Sequence, residues 1–184
     1  MSFRDQFLIE FDLEIPFIRE HLTRLPEDKL DWKPHERSMT LAWLSTFLGI
    51  LWTWSVPVVE EESFDVVKAY ADVPPPEIPG TRQGIVDLFD QHTAAARAAL
   101  AGADDAKMLD PWSLLANGAT IFTQPRWLVL RTIIMNHAVH HRAQLGVYLR
   151  LLDVPVPAVY NDSADEKGGM FMTPREDGQQ GGGG

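Results

Sequence analysis

Four stretches of the chain repeat apolar residues every three or four positions, the spacing of an amphipathic helix, and none sustains the alternation of a strand. The first runs from about Ser2 to Leu25, with Phe7, Phe11, Ile15, Ile18 and Leu22 on one stripe, and Pro26 stops it. After the polar run PEDKLDWKPHER, a second helix is predicted from Thr40 as N-cap, with Leu44, Phe47, Leu48, Leu51 and Val58 inward and Pro57 bending or ending it. Residues 60–80, punctuated by VPPPEIPG, read as irregular chain. A third helix is expected over about Thr81–Ala101, with Ile85, Leu88, Phe89, His92, Ala96 and Leu100 on its apolar face. The stretch AGADDAKMLDPWSLLANGATIFTQ again reads as irregular. A last helix starts at Pro125 and continues to about Asp153, where VPVP breaks it.

Four helices with two connections of this length predict an all-α four-helix bundle with a long crossover between helices two and three. The bundle is assigned to residues 1–160. Residues 161–184, closing on GGGG, are assigned to a flexible Gly-rich tail.

Charge and composition narrow the function. Sixteen Lys and Arg against 26 Asp and Glu leave a net charge of −10, which opposes binding to a phosphate backbone and excludes nucleic acid as a partner. The absence of cysteine excludes disulfides, thiolate nucleophiles and Cys-type metal centres. The start MSFRDQFLIE is charged before any apolar run, so a cytoplasmic location is expected. Ser38–Val59 contains no charged residue and approaches the length of a membrane span. Its Ser45, Thr46, Thr53, Ser55 and Pro57 favour a helix buried inside the bundle, so no membrane association is expected.

The candidate chemistry lies in the last helix. Its inner stripe reads Leu130, Ile134, His137, His141, Leu145, Tyr148 and Leu152. Two imidazoles one turn apart can chelate one divalent ion, and they can equally form a structural hydrogen-bonded pair. His140 falls to one side, as an outer-shell or interface group. His21 and His35 are expected in solvent, as are Glu60–Glu62 and Asp104–Asp105. Trp43, Trp52 and Trp54 are read as core and dimer packing, with an aromatic ligand pocket as the alternative.

The combination of LDWKPHERSMTL, NHAVHHRAQLGVYLRLLDVPVP and YNDSADE resembles the DinB/YfiT-like group of bacterial four-helix-bundle proteins, over nearly the whole chain. The resemblance implies a homodimer carrying nickel or zinc on three histidines, two of them matching His137 and His141. It implies a third in helix two, after a stretch like Trp32-Lys33-Pro34 and Ser38-Met39-Thr40-Leu41. That position is held here by Phe47, and no His, Asp or Glu lies between Ser38 and Val59. His92 is the remaining candidate for a substitute ligand. The resemblance further implies a divalent-metal-dependent thiol S-transferase or hydrolase, whose thiol must arrive as a cosubstrate. The alternative is a metal-free dimeric bundle that binds an apolar ligand or a partner.

Overall fold

The computed structural model describes residues 2–74 and 76–170. Helix α1 spans Phe3–Thr23, and its N-terminus is capped by the Ser2 hydroxyl, which accepts from the Asp5 amide at 3.1 Å. Helix α2 spans Leu41–Thr53 behind the expected cap, Thr40, whose hydroxyl accepts from Trp43 N. The chain turns at Trp54 and continues as the short helix α3, Ser55–Glu60. This break precedes Pro57, which occupies an early position of α3 where its missing N–H costs little. The stretch 41–60 is apolar and long enough to cross a membrane by composition, and 56% of its most apolar window is buried inside the bundle.

Strand β1, Ser63–Asp65, leads into α4, Val66–Tyr70, and the chain then crosses to α5, Arg82–Gly102, capped by Thr81. Strands β2, Pro111–Ala116, and β3, Ala119–Pro125, form a hairpin. The final helical run is α6, Arg126–Val129, a π-helical segment Leu130–Met135, and α7, Asn136–Leu151. The helices α1, α2, α5 and α7 form the four-helix bundle.

Both connections expected to be irregular thus carry strands. β1 pairs in parallel with β2, and β2 pairs antiparallel with β3, so one small sheet ties the two crossovers together. The hairpin turns on Asn117 and Gly118, both at positive φ (50° and 81°), as a two-residue turn matched to strand twist requires. Asp65 pins this turn: its carboxylate accepts from the amides of Asn117 (3.0 Å) and Gly118 (2.7 Å).

The sheet also secures the end of α3. Trp112 Nε1 donates to Pro57 O at 3.1 Å, and the buried Arg126 guanidinium donates to Val58 O at 2.6 Å and to Glu61 O. A helix C-terminus leaves such carbonyls without partners, and a buried cation there satisfies them and opposes the helix dipole. Arg126→Ala is therefore expected to cost about 2–3 kcal/mol, the range for losing hydrogen bonds to a charged group and stranding their acceptors. Urea denaturation followed by tryptophan fluorescence checks it.

The core joins Phe7, Phe11, Ile18 and Leu22 of α1 to Leu44, Leu48, Leu51 and Trp52 of α2. Ile85, Phe89, Ala96 and Leu100 of α5 and Leu145 and Leu149 of α7 complete it. Helices α2 and α5 approach closely at Gly49, where a Cβ would stand 3.2 Å from the Phe89 Cα. Residues 161–170, assigned from the sequence to the tail, are hydrogen-bonded to the bundle. Asp165 pairs with Arg150 and accepts from Val156 N, and Glu166 pairs with Arg24. The rest of that tail, 171–184, lies outside the described residues.

Candidate functional site

The π-helical segment precedes the histidines, and such segments recur at functional sites because the extra residue per turn rotates the side chains that follow. Leu130 and Ile134 of this segment are buried, and the expected stripe continues into α7. His137 and His141 meet there, with their Nε2 atoms 2.8 Å apart and their ring centroids 4.5 Å apart. His141 is buried, and its Nδ1 lies 2.7 Å from Gln144 Oε1. A carboxamide oxygen can only accept, so Nδ1 carries the proton and the Nε2 of His141 presents its lone pair. The shared contact then takes its hydrogen from His137 Nε2. Burial, followed by the neighbouring His137 and His140, holds the His141 pKa below its ordinary value, against the opposing effect of Gln144.

Phe47 closes the pair from α2. Its ring stands edge-on to both imidazoles, at 5.2 Å and 84° from His141 and at 5.7 Å and 73° from His137. Trp43 packs behind it at 6.0 Å. Below the pair, Trp32 meets Tyr148 edge-to-face at 5.6 Å, and the Tyr148 hydroxyl donates to Met39 O. The site is therefore a histidine pair set in an aromatic wall.

A three-histidine metal centre does not fit these residues. Among the described residues no group of three or more His, Asp or Glu side chains is placed to hold a metal. Two tetrahedral ligands at the usual zinc–nitrogen length stand about 3.3 Å apart, whereas this pair has closed to hydrogen-bond distance. His140 is exposed, with its ring 6.4 Å from that of His137 and edge-on to that of His141 at 5.0 Å.

His92, the candidate substitute ligand, lies elsewhere. Its Nδ1 faces Gly49, and its ring lines a cavity of about 340 Å³ with Ile50, Thr53, Trp54 and Tyr70. Gly49 and Phe47 are two residues apart on α2, hence about 200° apart around it, so α2 stands between His92 and the pair. The substitute role is corrected on this ground. Of the three tryptophans read together, Trp54 lines this cavity, Trp52 is fully buried in the core and Trp43 packs on Phe47.

His21 also departs from expectation, since it is only 3% exposed. The segment after α7 folds back over α1 and buries a second face of it, which a single apolar stripe does not reveal. On that face Glu14 forms an ion pair with Arg142 at 3.0 Å, and both are nearly inaccessible. Tyr160 completes the group: its hydroxyl accepts from Arg142 at 2.9 Å and donates to Glu14. No sequence motif marks this cluster, although a Glu and an Arg inside otherwise apolar stripes are its one available signal. His35 is exposed, as expected.

Burial, then the Arg142 and Arg24 charges, hold the His21 pKa below its ordinary value, against its bond to Phe17 O and the Glu20 carboxylate. In the unfolded chain the same ring titrates near 6.5. As pH falls through that value the unfolded state gains a proton that the native state refuses, so the contribution to stability is complete above it and lost below. The urea midpoint is expected to drop between pH 7.5 and 5.5, and to drop less in His21→Phe.

The profile of the DinB family matches residues 2–176. No curated protein matches the chain. Three solved structures share the fold. A DinB-like protein from Bacillus cereus ATCC 10987 is 21% identical, with TM-score 0.61 over 85% of this chain and 97% of its own. A DinB-like protein from Bacillus subtilis, YjoA, is 17% identical, with TM-score 0.65 over 83% and 96%. A protein described as a putative member of the DinB family, from Exiguobacterium sibiricum 255-15, is 17% identical, with TM-score 0.57 over 83% and 93%. With a helical bundle whose last helix carries the histidine pair and a family match over nearly its full length, the chain belongs to the DinB family.

Proposed function

We propose that this protein is a DinB-family bundle that works without a resident metal ion, as a homodimeric cytoplasmic module that binds a small apolar ligand. The observation that carries this reading is Phe47, whose ring stands against both imidazoles on the side where a third donor would come from. The pair then serves packing and hydrogen bonding: each Nε2 satisfies the other within an aromatic wall. The net charge of −10 supports a partner other than nucleic acid.

A second reading keeps a divalent nickel or zinc ion and a thiol S-transferase or hydrolase activity. It is favoured by the contact between His141 Nδ1 and Gln144 Oε1, the kind of outer hydrogen bond that orients a metal-bound imidazole. Elemental analysis of untagged protein, after dialysis against nickel and zinc, separates the two. The expected result is substoichiometric metal in the wild type. Phe47→His is expected to tighten nickel or zinc binding by about 100-fold, since even an outer-shell partner changes metal affinity by 10–100-fold. One ion per chain in the wild type, lost in His137→Ala, would overturn the metal-free reading in favour of the second. Light scattering reads the dimer.

A further inference from the structure

A second cavity lies on the opposite side of α7 from the histidine pair. It has a volume of about 460 Å³, in the range of small-molecule sites, and is bounded by α7, the end of α1 and the returning segment 156–163. Its walls are apolar, from Val156, Pro157 and Val159, and its rim carries Val147 and Leu151, which are 58% and 57% exposed. The cations that line it are already compensated, Arg142 by Glu14 and Arg150 by Asp165, so it offers no free charge to an ion.

One polar atom at the floor is unused. His21 Nδ1 lies 2.7 Å from Phe17 O, which can only accept, so Nδ1 carries the proton and Nε2 holds a lone pair. Nε2 makes no hydrogen bond among the described residues. Gly146 leaves it open: a Cβ there would stand 3.5 Å from Nε2, in the path of any approaching donor. An oriented, unpaired acceptor that opens onto an apolar, uncharged cavity selects a ligand with one hydroxyl donor on an apolar body.

We propose that this cavity binds a small uncharged hydroxylated apolar molecule, with its O–H donating to His21 Nε2 and its body against Val156, Pro157 and Val159. The proposal deepens the reading of a metal-free binding module, yet it rests on residues that the histidine pair does not touch.

The test uses the full chain with two probes of nearly equal shape, 2-naphthol and 2-methoxynaphthalene, the second lacking the donor. Wild-type protein is expected to bind 2-naphthol about tenfold more tightly by calorimetry, the factor one hydrogen bond to an unpaired acceptor supplies. Gly146→Ala, a change that favours the helix and therefore folds, is expected to erase that preference by shielding Nε2. His21→Leu is expected to erase it while retaining the ether. Equal affinities in the wild type, binding of neither probe, or a preference that survives Gly146→Ala would each overturn the proposal. So would probe binding that weakens as protein concentration rises, which would assign the groove to a second copy. Elemental analysis of the same sample keeps the outcomes distinct. Bound metal would overturn the metal-free reading alone, and loss of the naphthol preference would overturn this proposal alone.

Discussion

Replacing Arg142 with Met is expected to lower the unfolding free energy by about 3–5 kcal/mol, because it strands the Glu14 carboxylate inside the protein without its countercharge. Both side chains are over nine-tenths buried, and their charged atoms are 3.0 Å apart. The guanidinium also lies over the rings of Tyr160, at 5.0 Å, and Phe17, at 5.7 Å, so the substitution removes cation–π contacts as well. Against a total stability of about 5–15 kcal/mol, a loss of this size leaves a marginal fold. Glu14→Leu is expected to cost as much, since it strands the cation instead. Removing all three polar partners, with Glu14→Leu, Arg142→Met and Tyr160→Phe together, is expected to recover most of the loss, because no buried charge or hydroxyl is then left unsatisfied. Urea denaturation of the single and triple variants checks this. Single variants within about 1 kcal/mol of wild type would mean that water reaches the pair and that the segment after α7 does not seal α1.

Trp52→Ala is expected to cost about 3–5 kcal/mol, the range for deleting a large aromatic side chain from a packed core. Trp52 is fully buried and meets Phe11 edge-to-face, at 4.8 Å and 79°, joining α1 to α2 at mid-bundle. The indole N–H has no acceptor among the described residues. Trp52→Phe therefore loses some apolar contact, keeps an aromatic partner for Phe11 and removes an unsatisfied donor. Its expected cost is smaller, about 1–2 kcal/mol, as these terms partly cancel. Thermal unfolding by calorimetry reads both. A Trp52→Phe variant as unstable as Trp52→Ala would mean that the N–H is satisfied in solution, by water for example.

The four main helices were legible because each carries one apolar stripe and a local stop or cap: Pro26, Thr40, Thr81 and the VPVP run. The sheet was not read from the sequence. Asn117-Gly118 between LLA and ATIF is a hairpin signal, yet the parallel pairing of Ser63 with Ser113 joins residues fifty positions apart and has no local signature. The histidine pair was legible from the i, i+4 spacing, and the family resemblance identified Phe47 as the residue facing it.

The remaining features depend on faces buried by distant chain. His21 read as solvated because it lies beside the main stripe of α1. The segment after α7 supplies its cover, bringing Tyr160 onto Glu14 across 146 positions. His92 read as inward-facing and is half-buried, but its side of α2 was undetermined, since periodicity specifies a face and not the neighbour it meets.

The sequence by itself determined the helices, the net charge of −10, and two imidazoles one helical turn apart. These follow from local spacing and composition, which need no knowledge of the rest of the chain. Only the tertiary structure decided that the imidazoles bond each other, that Arg142 and Glu14 share a buried charge pair, and that His21 opens onto a cavity. Each of these depends on which surfaces are brought together, and that is settled by the sum of weak contacts over the whole bundle.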